Sequence, residues 1–326
     1  MTHGSHRSCL GNLFLATFVA LTTRDVSGLP PPAESPNVAA LKRKLAAIIQ
    51  SSGLKDAEIG VDVVAADTGE RLFGHNQAKL FAVASNMKLF TTAAALTYLG
   101  SEFHYTTVVA VRGAITAQGE LQGHVIVHGS GDPNISGRFH ENHTLAVLES
   151  WADALKNRGI VRVTGDVVAD DSLFDREFAC PTWPSEQLSH WYCAQTSALS
   201  FNDNCIVVCV SPGKVVGSPV TVTVEPATSY VTIVNQCLTT DSRGPHAVSL
   251  QRTPETNTIV VGGKCRAGAG SFREFVTVHD PALYQGTVFK ETLQRRGVAV
   301  TGTVRRPVEG ELKREGEQEI VSFSSP

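Results

Sequence analysis

The sequence predicts an α+β fold in which a helix-and-strand module is split around a β-rich insertion. Three observations carry this expectation. Val38, Leu41, Leu45, Ile48 and Ile49 recur at helical spacing, alternation sets in around Ile59, Val61 and Val63, and an Ala- and Leu-rich helix follows over 86–99. From residue 103 to 275 the pattern changes to short apolar runs separated by Gly, Pro and Asn turns. A helical period then returns at 281–296, with an alternating strand at 298–305.

Taken in order, residues 1–28 read as a leader. His6 and Arg7 precede an apolar run over 9–21, which is short for a membrane span and suits a secretory signal or a short uncleaved anchor. The expected location is therefore exported, periplasmic or cell-envelope. Residues 29–36 contain Pro30, Pro31, Pro32 and Pro36 and read as a stiff linker. Ser35 before Pro36 is a helix start, a hydroxyl cap followed by proline at the first position. The first part of the split module is expected over 37–102, with Asp67-Thr68-Gly69-Glu70 turning one strand into the next. The insertion is expected over 103–275, with strands at 106–111, 123–128, 161–169, 205–210, 220–224 and 258–261 and one helix at 144–157. Residues 276–326 are expected to return to the first module and leave it incomplete.

Composition narrows the function classes. The 326 residues are 42% hydrophobic and 18% charged with a net charge of -3, so no polybasic footprint for nucleic acid is present. The charge cluster between Arg305 and Glu319 reads as a solvated loop. Beyond the leader lie Cys180, Cys193, Cys205, Cys209, Cys237 and Cys265, an even count that permits up to three disulfides or leaves buried thiols. Cys205 and Cys209 fall on one face of a strand about 13 Å apart, too far to share a zinc ion. No metal site is expected.

The residues that can carry acyl chemistry are Ser85 and Lys88, in Ala84-Ser85-Asn86-Met87-Lys88. A serine opening a helix sits at the positive end of the macrodipole, where its own amide can donate to an oxyanion. Lys88 lies three residues on, over the same helix face. Partial desolvation by Met87, Leu89 and Phe90 would equip that amine to take the serine proton. Ser200-Phe201-Asn202 has a Ser-x-Asn form but reads as a turn closed by Asn202, Asp203 and Asn204. Gly129-Ser130-Gly131-Asp132-Pro133 lacks phosphate-loop spacing and reads as a β-turn. His124 and His128 share a strand face and read as hydrogen-bonded surface residues. Asn142-His143-Thr144 fits a glycosylation sequon and is expected to cap the helix after it.

From about Ile59 onward the chain resembles the class C low-molecular-mass penicillin-binding proteins, the D-Ala-D-Ala carboxypeptidase/endopeptidase type. The matching segments are 84–92, 99–103, 129–133, 165–174 and 197–204. The resemblance implies a penicillin-binding, transpeptidase-like domain interrupted by a β-rich insertion and truncated at the C-terminus. It implies Ser85 as nucleophile and Lys88 as general base, acting on peptidoglycan stem peptides, with β-lactams acylating the same serine and no cofactor. The family also uses a Ser-x-Asn on a later helix and a Lys-Thr-Gly on a late strand. Ser200 and Asn202 correspond to the insertion rather than to that Ser-x-Asn, and no Lys-Thr-Gly occurs in the sequence. A non-catalytic peptidoglycan-binding or regulatory fragment, or a decayed gene product, is therefore the alternative; a β-lactamase-like hydrolase is a third reading. Oligomeric state is left open.

Overall fold

Ser35 caps the first helix as its hydroxyl-proline pair predicts: its Oγ accepts from the Val38 amide at 3.3 Å. The computed structural model describes residues 35–53 and 57–326, so the expected leader and most of the linker lie outside the described residues. The chain divides into two compact units, one ending at Ala95 and the other running from Leu96 to Pro326.

The first unit holds α1 (Pro36–Ser51), β1 (Val61–Val64), β2 (Arg71–His75) and the start of α2 (Met87–Tyr98). β1 and β2 pair antiparallel from Val61↔His75 to Val64↔Arg71, with a bulge between Val63 and Val64. The turn between them closes as expected, with the Gly69 amide donating to the Ala65 carbonyl at 2.8 Å and Gly69 at φ 71°. Arg71 Nε donates to Asp62 Oδ1 at 2.7 Å across the hairpin, and this pairing holds the Asp62 carboxyl below its ordinary range. Neither α1 nor α2 contains a buried residue.

The second unit opens with the hairpin β3 (Thr106–Ile115) and β4 (Glu120–His128), then α3 (Ala146–Asn157), β5 (Arg162–Val163) and β6 (Val167–Asp170). Next come β7 (Cys205–Ser211), β8 (Thr221–Glu225), β9 (Thr232–Asn235), β10 (Leu238–Thr240), β11 (Ala247–Arg252), β12 (Thr258–Arg266) and β13 (Phe272–Thr277). The unit ends with α4 (Pro281–Arg295), β14 (Ala299–Val300), β15 (Val304–Arg305) and β16 (Glu317–Ser324). Seven strands form one mixed sheet with a spine β14-β5-β4-β3-β16 and the pair β6–β15 alongside β4. Parallel pairing of β4 with β5 and β6 needs a crossover, which α3 supplies. α4 supplies the second, bringing β14 beside β5 and β15 beside β6, both parallel. The remaining strands form a three-stranded sheet, β13-β7-β8, and a four-stranded one in which β9, β10 and β11 all pair with β12.

Two strands expected to be continuous are broken, each at a glycine. Gly165 divides 161–169 and Gly302 divides 298–305; an added Cβ would lie 2.3 Å from the Gly123 carbonyl oxygen in the first case and 2.3 Å from the Gly165 oxygen in the second. The backbones approach too closely there for any side chain. Pairing also corrects the sequence boundary at 275/276, because β14, β15 and β16 join the sheet of β3 to β6. β14 ends the spine of that sheet and β15 pairs only with β6, yet the apolar side chains there are covered: Val298 is 0% and Val300 7% exposed, and Val304 is half-buried.

Four further expectations are corrected. In the cluster from Arg305 to Glu319, Arg305, Glu311 and Glu317 belong to a part-buried ion network, while Glu309, Lys313, Arg314, Glu315 and Glu319 stand exposed as expected of a solvated loop. Arg305 pairs with Asp166 and Glu311 at 2.6 Å each, and Arg112 pairs with Glu317 at 2.6 Å. His128 is buried and not a surface residue; its Nδ1 and Nε2 lie 2.7 Å from carboxylate oxygens of Asp170 and Glu317. Gly129 to Asp132 has no regular structure, with Gly131 at φ 89°, and the turn falls one step later, on Pro133 and Asn134, where Asp132 Oδ1 accepts from the Asn134 amide at 2.8 Å. Asn142 does not cap α3, whose N-cap is Leu145 without a side-chain bond. All six described cysteines are free thiols, with Cys180 exposed and Cys193, Cys205, Cys237 and Cys265 buried. Burial pushes the Cys205 thiol up to about 12. No helix among the described residues is long and apolar enough to cross a membrane.

Candidate active site

The segment that carries Ser85 is set by local backbone. After the hairpin, Asn76 donates through Nδ2 to the Ile59 carbonyl at 3.0 Å, tying the end of β2 back to the start of β1. Residues 84–86 then form a 3₁₀ turn, with the Asn86 amide donating to the Val83 carbonyl at 2.9 Å. Ser85 therefore sits in that turn, immediately before α2 and not within its first α-helical turn. Ala84 occupies the left-handed region at φ 43°, a strained conformation for alanine directly before the serine. The sequence holds no signal for this strain, because alanine is not a residue that favours positive φ.

The structure brings the two expected residues together. Lys88 Nζ donates to Ser85 Oγ at 3.0 Å. This is within the range for proton transfer between a general base and its nucleophile. No carboxylate among the described residues lies within ion-pairing distance of Lys88, whereas the nearby-in-sequence Lys79 is paired with Glu58. The desolvation expected from Met87, Leu89 and Phe90 is not present: they are 53%, 71% and 66% exposed.

Ser200 and Asn202 belong to the second unit, and their polar groups are engaged there: Ser200 Oγ accepts from Asn204 Nδ2 at 3.1 Å, and both residues also donate to the backbone. Ser200 Oγ donates to the Ser197 carbonyl at 3.3 Å and Asn202 Nδ2 to the Cys205 carbonyl at 3.0 Å. The expected turn is there, as a 3₁₀ turn over Asn202–Asn204. Among the described residues no group of three or more His, Cys, Asp or Glu side chains is arranged to hold a metal ion.

Residues 41–326 match the D-Ala-D-Ala carboxypeptidase 3 (S13) family, and the chain belongs to that family. It is 34% identical over 270 residues to a D-alanyl-D-alanine carboxypeptidase of Actinomadura sp. (strain R39), covering 81% of this chain and 48% of that protein. It is 26% identical over 242 residues to the D-alanyl-D-alanine carboxypeptidase DacB of Haemophilus influenzae, covering 73% of this chain and 48% of that one. In fold it is similar to the crystal structure of penicillin binding protein 4 from Haemophilus influenzae, with a TM-score of 0.70 at 22% identity, over 89% of this chain and 60% of the other. The chain thus spans about half the length of the curated relatives it matches.

Proposed function

We propose that this protein is a serine-type D-Ala-D-Ala carboxypeptidase of the cell envelope that works through a Ser85 acyl-enzyme on peptidoglycan stem peptides. The observation that carries the reading is the 3.0 Å contact between Lys88 Nζ and Ser85 Oγ, in a chain of the S13 family. Lys88 in its neutral form takes the Ser85 proton as Oγ attacks the carbonyl carbon of the penultimate D-alanine. The tetrahedral intermediate collapses by breaking the peptide bond, and the proton passes from Lys88 to the departing amine of the terminal D-alanine. Water then attacks the ester, with Lys88 again taking a proton, and Ser85 is regenerated. A β-lactam enters the same sequence: Oγ attacks the strained amide and the ring nitrogen takes the proton, leaving an ester on Ser85. The names of the relatives, D-alanyl-D-alanine carboxypeptidase and penicillin binding protein, support this choice of substrate and inhibitor.

Labelling with a fluorescent penicillin tests the reading. The chain is expected to take up label at Ser85, and Ser85→Ala to take up none. Equal labelling of both would overturn it. The alternative, a non-catalytic peptidoglycan-binding fragment, rests on the absence of Lys-Thr-Gly from the sequence and on the exposure of the pair. Release of D-alanine from a diacyl-D-Ala-D-Ala peptide by the purified chain would rule that alternative out. Export is the location such a substrate requires, and N-terminal sequencing of the protein recovered from the envelope would reveal whether the leader is removed.

A further inference from the structure

The second unit carries a cavity of about 430 Å³ that the acyl chemistry does not use. Its floor is one face of the three-stranded sheet. In register, Glu225 of β8 faces Val207 of β7, which faces Phe275 of β13, so a carboxylate, an aliphatic and an aromatic side chain stand in one row. Arg273 follows two residues before Phe275 on the same face and reaches diagonally to Glu225, with Nη2 to Oε2 at 2.5 Å and Nη1 to Oε1 at 3.2 Å. Phe275 is 45% exposed, an aromatic left open on a sheet face.

The turn that follows Ser200 also lines the cavity, through Asn202 and Asp203. Asn202, Asp203 and Asn204 stand consecutively in the left-handed region, at φ 51°, 55° and 53°. Three such residues in a row store strain that must be held from outside. Asn204 does so by accepting from the Phe201 amide through Oδ1 at 3.1 Å and donating through Nδ2 to the Gln195 carbonyl at 2.8 Å. The two asparagines are buried by these bonds, while Asp203 between them is left exposed at the cavity. Arg138 meets it there, donating through Nη2 to both carboxylate oxygens at 3.1 and 2.8 Å. Its Nε and Nη1 have no partner among the described residues.

The cavity is therefore lined by two guanidinium–carboxylate pairs of cancelling charge, with an aromatic ring and a valine between them. An ion entering would have to displace one member of a pair. A neutral polyhydroxylated ligand would not, because paired carboxylates keep lone pairs to accept from hydroxyls and the guanidinium groups keep N–H donors. The electron-rich face of Phe275 suits the C–H face of a sugar ring. We infer that this cavity binds a neutral carbohydrate, the N-acetylated amino-sugar strand of peptidoglycan, with Phe275 as platform and Asp203, Arg138, Glu225 and Arg273 as hydroxyl partners. The choice of amino sugar rests on the proposed function; the carbohydrate class rests on the lining.

The test is calorimetric titration of the full chain with triacetylchitotriose, with maltotriose as the control sugar. Saturable binding of triacetylchitotriose is expected, weakened about tenfold by Phe275→Ala and weakened also by the isosteric Glu225→Gln. Both side chains are solvent-exposed, and an unchanged thermal midpoint confirms that the variants fold. No saturable binding, equal binding of maltotriose, or unchanged affinity in both variants would overturn the inference. Fluorescent-penicillin labelling at Ser85 is expected to be the same in Phe275→Ala as in the parent chain. Loss of sugar binding with labelling intact thus fails this site alone, while loss of labelling in the parent chain fails the proposed function.

Discussion

Helices α2 and α3 are each 12 residues long, and the more apolar of the two is the one that is not buried. In α3, Val147, Leu148, Trp151, Ala152 and Leu155 are all buried, a stripe at helical spacing facing one side. Its polar residues Glu149, Asp153 and Lys156 stand outside that stripe. In α2, Met87, Leu89, Phe90, Leu96 and Tyr98 are spread around the helix, and each is more than half exposed. The difference shows that apolar content alone does not bury a helix; a matching surface must meet it. α3 has such surfaces in α4 and β16, where the Trp151 ring meets Phe289 and Phe323 edge-on at 5.6 and 6.2 Å between centroids. Lys88, the partner of Ser85, stands on the helix whose apolar surface the described residues leave open.

The contrast is broken most directly at Trp151. It is fully buried, so Trp151→Ala is expected to cost about 3–5 kcal/mol, through lost contacts and the cavity left behind. Urea unfolding followed by circular dichroism would measure this. Trp151→Phe is expected to cost far less, because the indole Nε1 has no hydrogen-bond partner among the described residues to lose. A change under about 1 kcal/mol for Trp151→Ala would mean that the core of the second unit is not where the structure puts it.

A smaller effect comes from the buried charges of the same unit. Burial alone would push the Asp170 carboxyl up, but the hydrogen bonds from His128 and Ser172 outweigh it and hold the carboxyl at about 2. Glu311 is likewise held at about 2, chiefly by its hydrogen bonds with Arg305. A depressed carboxyl contributes stability that is complete above its unfolded value and is lost as pH falls through the folded one. The second unit is therefore expected to lose about 2 kcal/mol from Asp170 between pH ~4 and pH ~2, and less from Glu311, whose pair with Arg305 is partly open to solvent. Asp170→Asn should flatten that part of the curve, as measured by urea midpoints across the range. No comparable acid-sensitive pair is buried in the first unit among the described residues, where Asp62 and Glu58 are both at the surface.

How much of this was legible beforehand follows from the range of the interactions. Helices α3 and α4 fall within two residues of their expected limits at every end, because periodicity, the Pro281 start and the terminal glycines are local signals. The spacing of Ser85 and Lys88 is also local, and the 3.0 Å contact follows from it. What the pattern missed is long-range. Gly165 and Gly302 break their strands because of backbones that approach from elsewhere in the chain. His128 reads as a surface residue until Glu317, 189 positions away, arrives at 2.7 Å. The charges at Arg305 and Glu311 read as a solvated loop for the same reason, since the Asp166 partner of Arg305 is 139 positions distant. The cavity over Phe275 needs β7, β8 and β13 in register and cannot be seen in any one of them.

The smallest expected effect is the one that most sharpens the comparison. Leu89 lies in the first turn of α2 and is 71% exposed, so Leu89→Ala removes little buried area. The change in unfolding free energy should stay within about 0.5 kcal/mol, the range of ordinary surface substitutions. Alanine also forms helix at least as well as leucine, so no propensity penalty is added. The same substitution at Leu148, its fully buried counterpart in α3, should cost about 2–5 kcal/mol. If Leu89→Ala instead cost 2 kcal/mol or more, the apolar side chains of α2 would have to be covered in solution. Lys88 would then be desolvated as the sequence expects, and labelling of Ser85 by fluorescent penicillin should fall along with stability in the same variant.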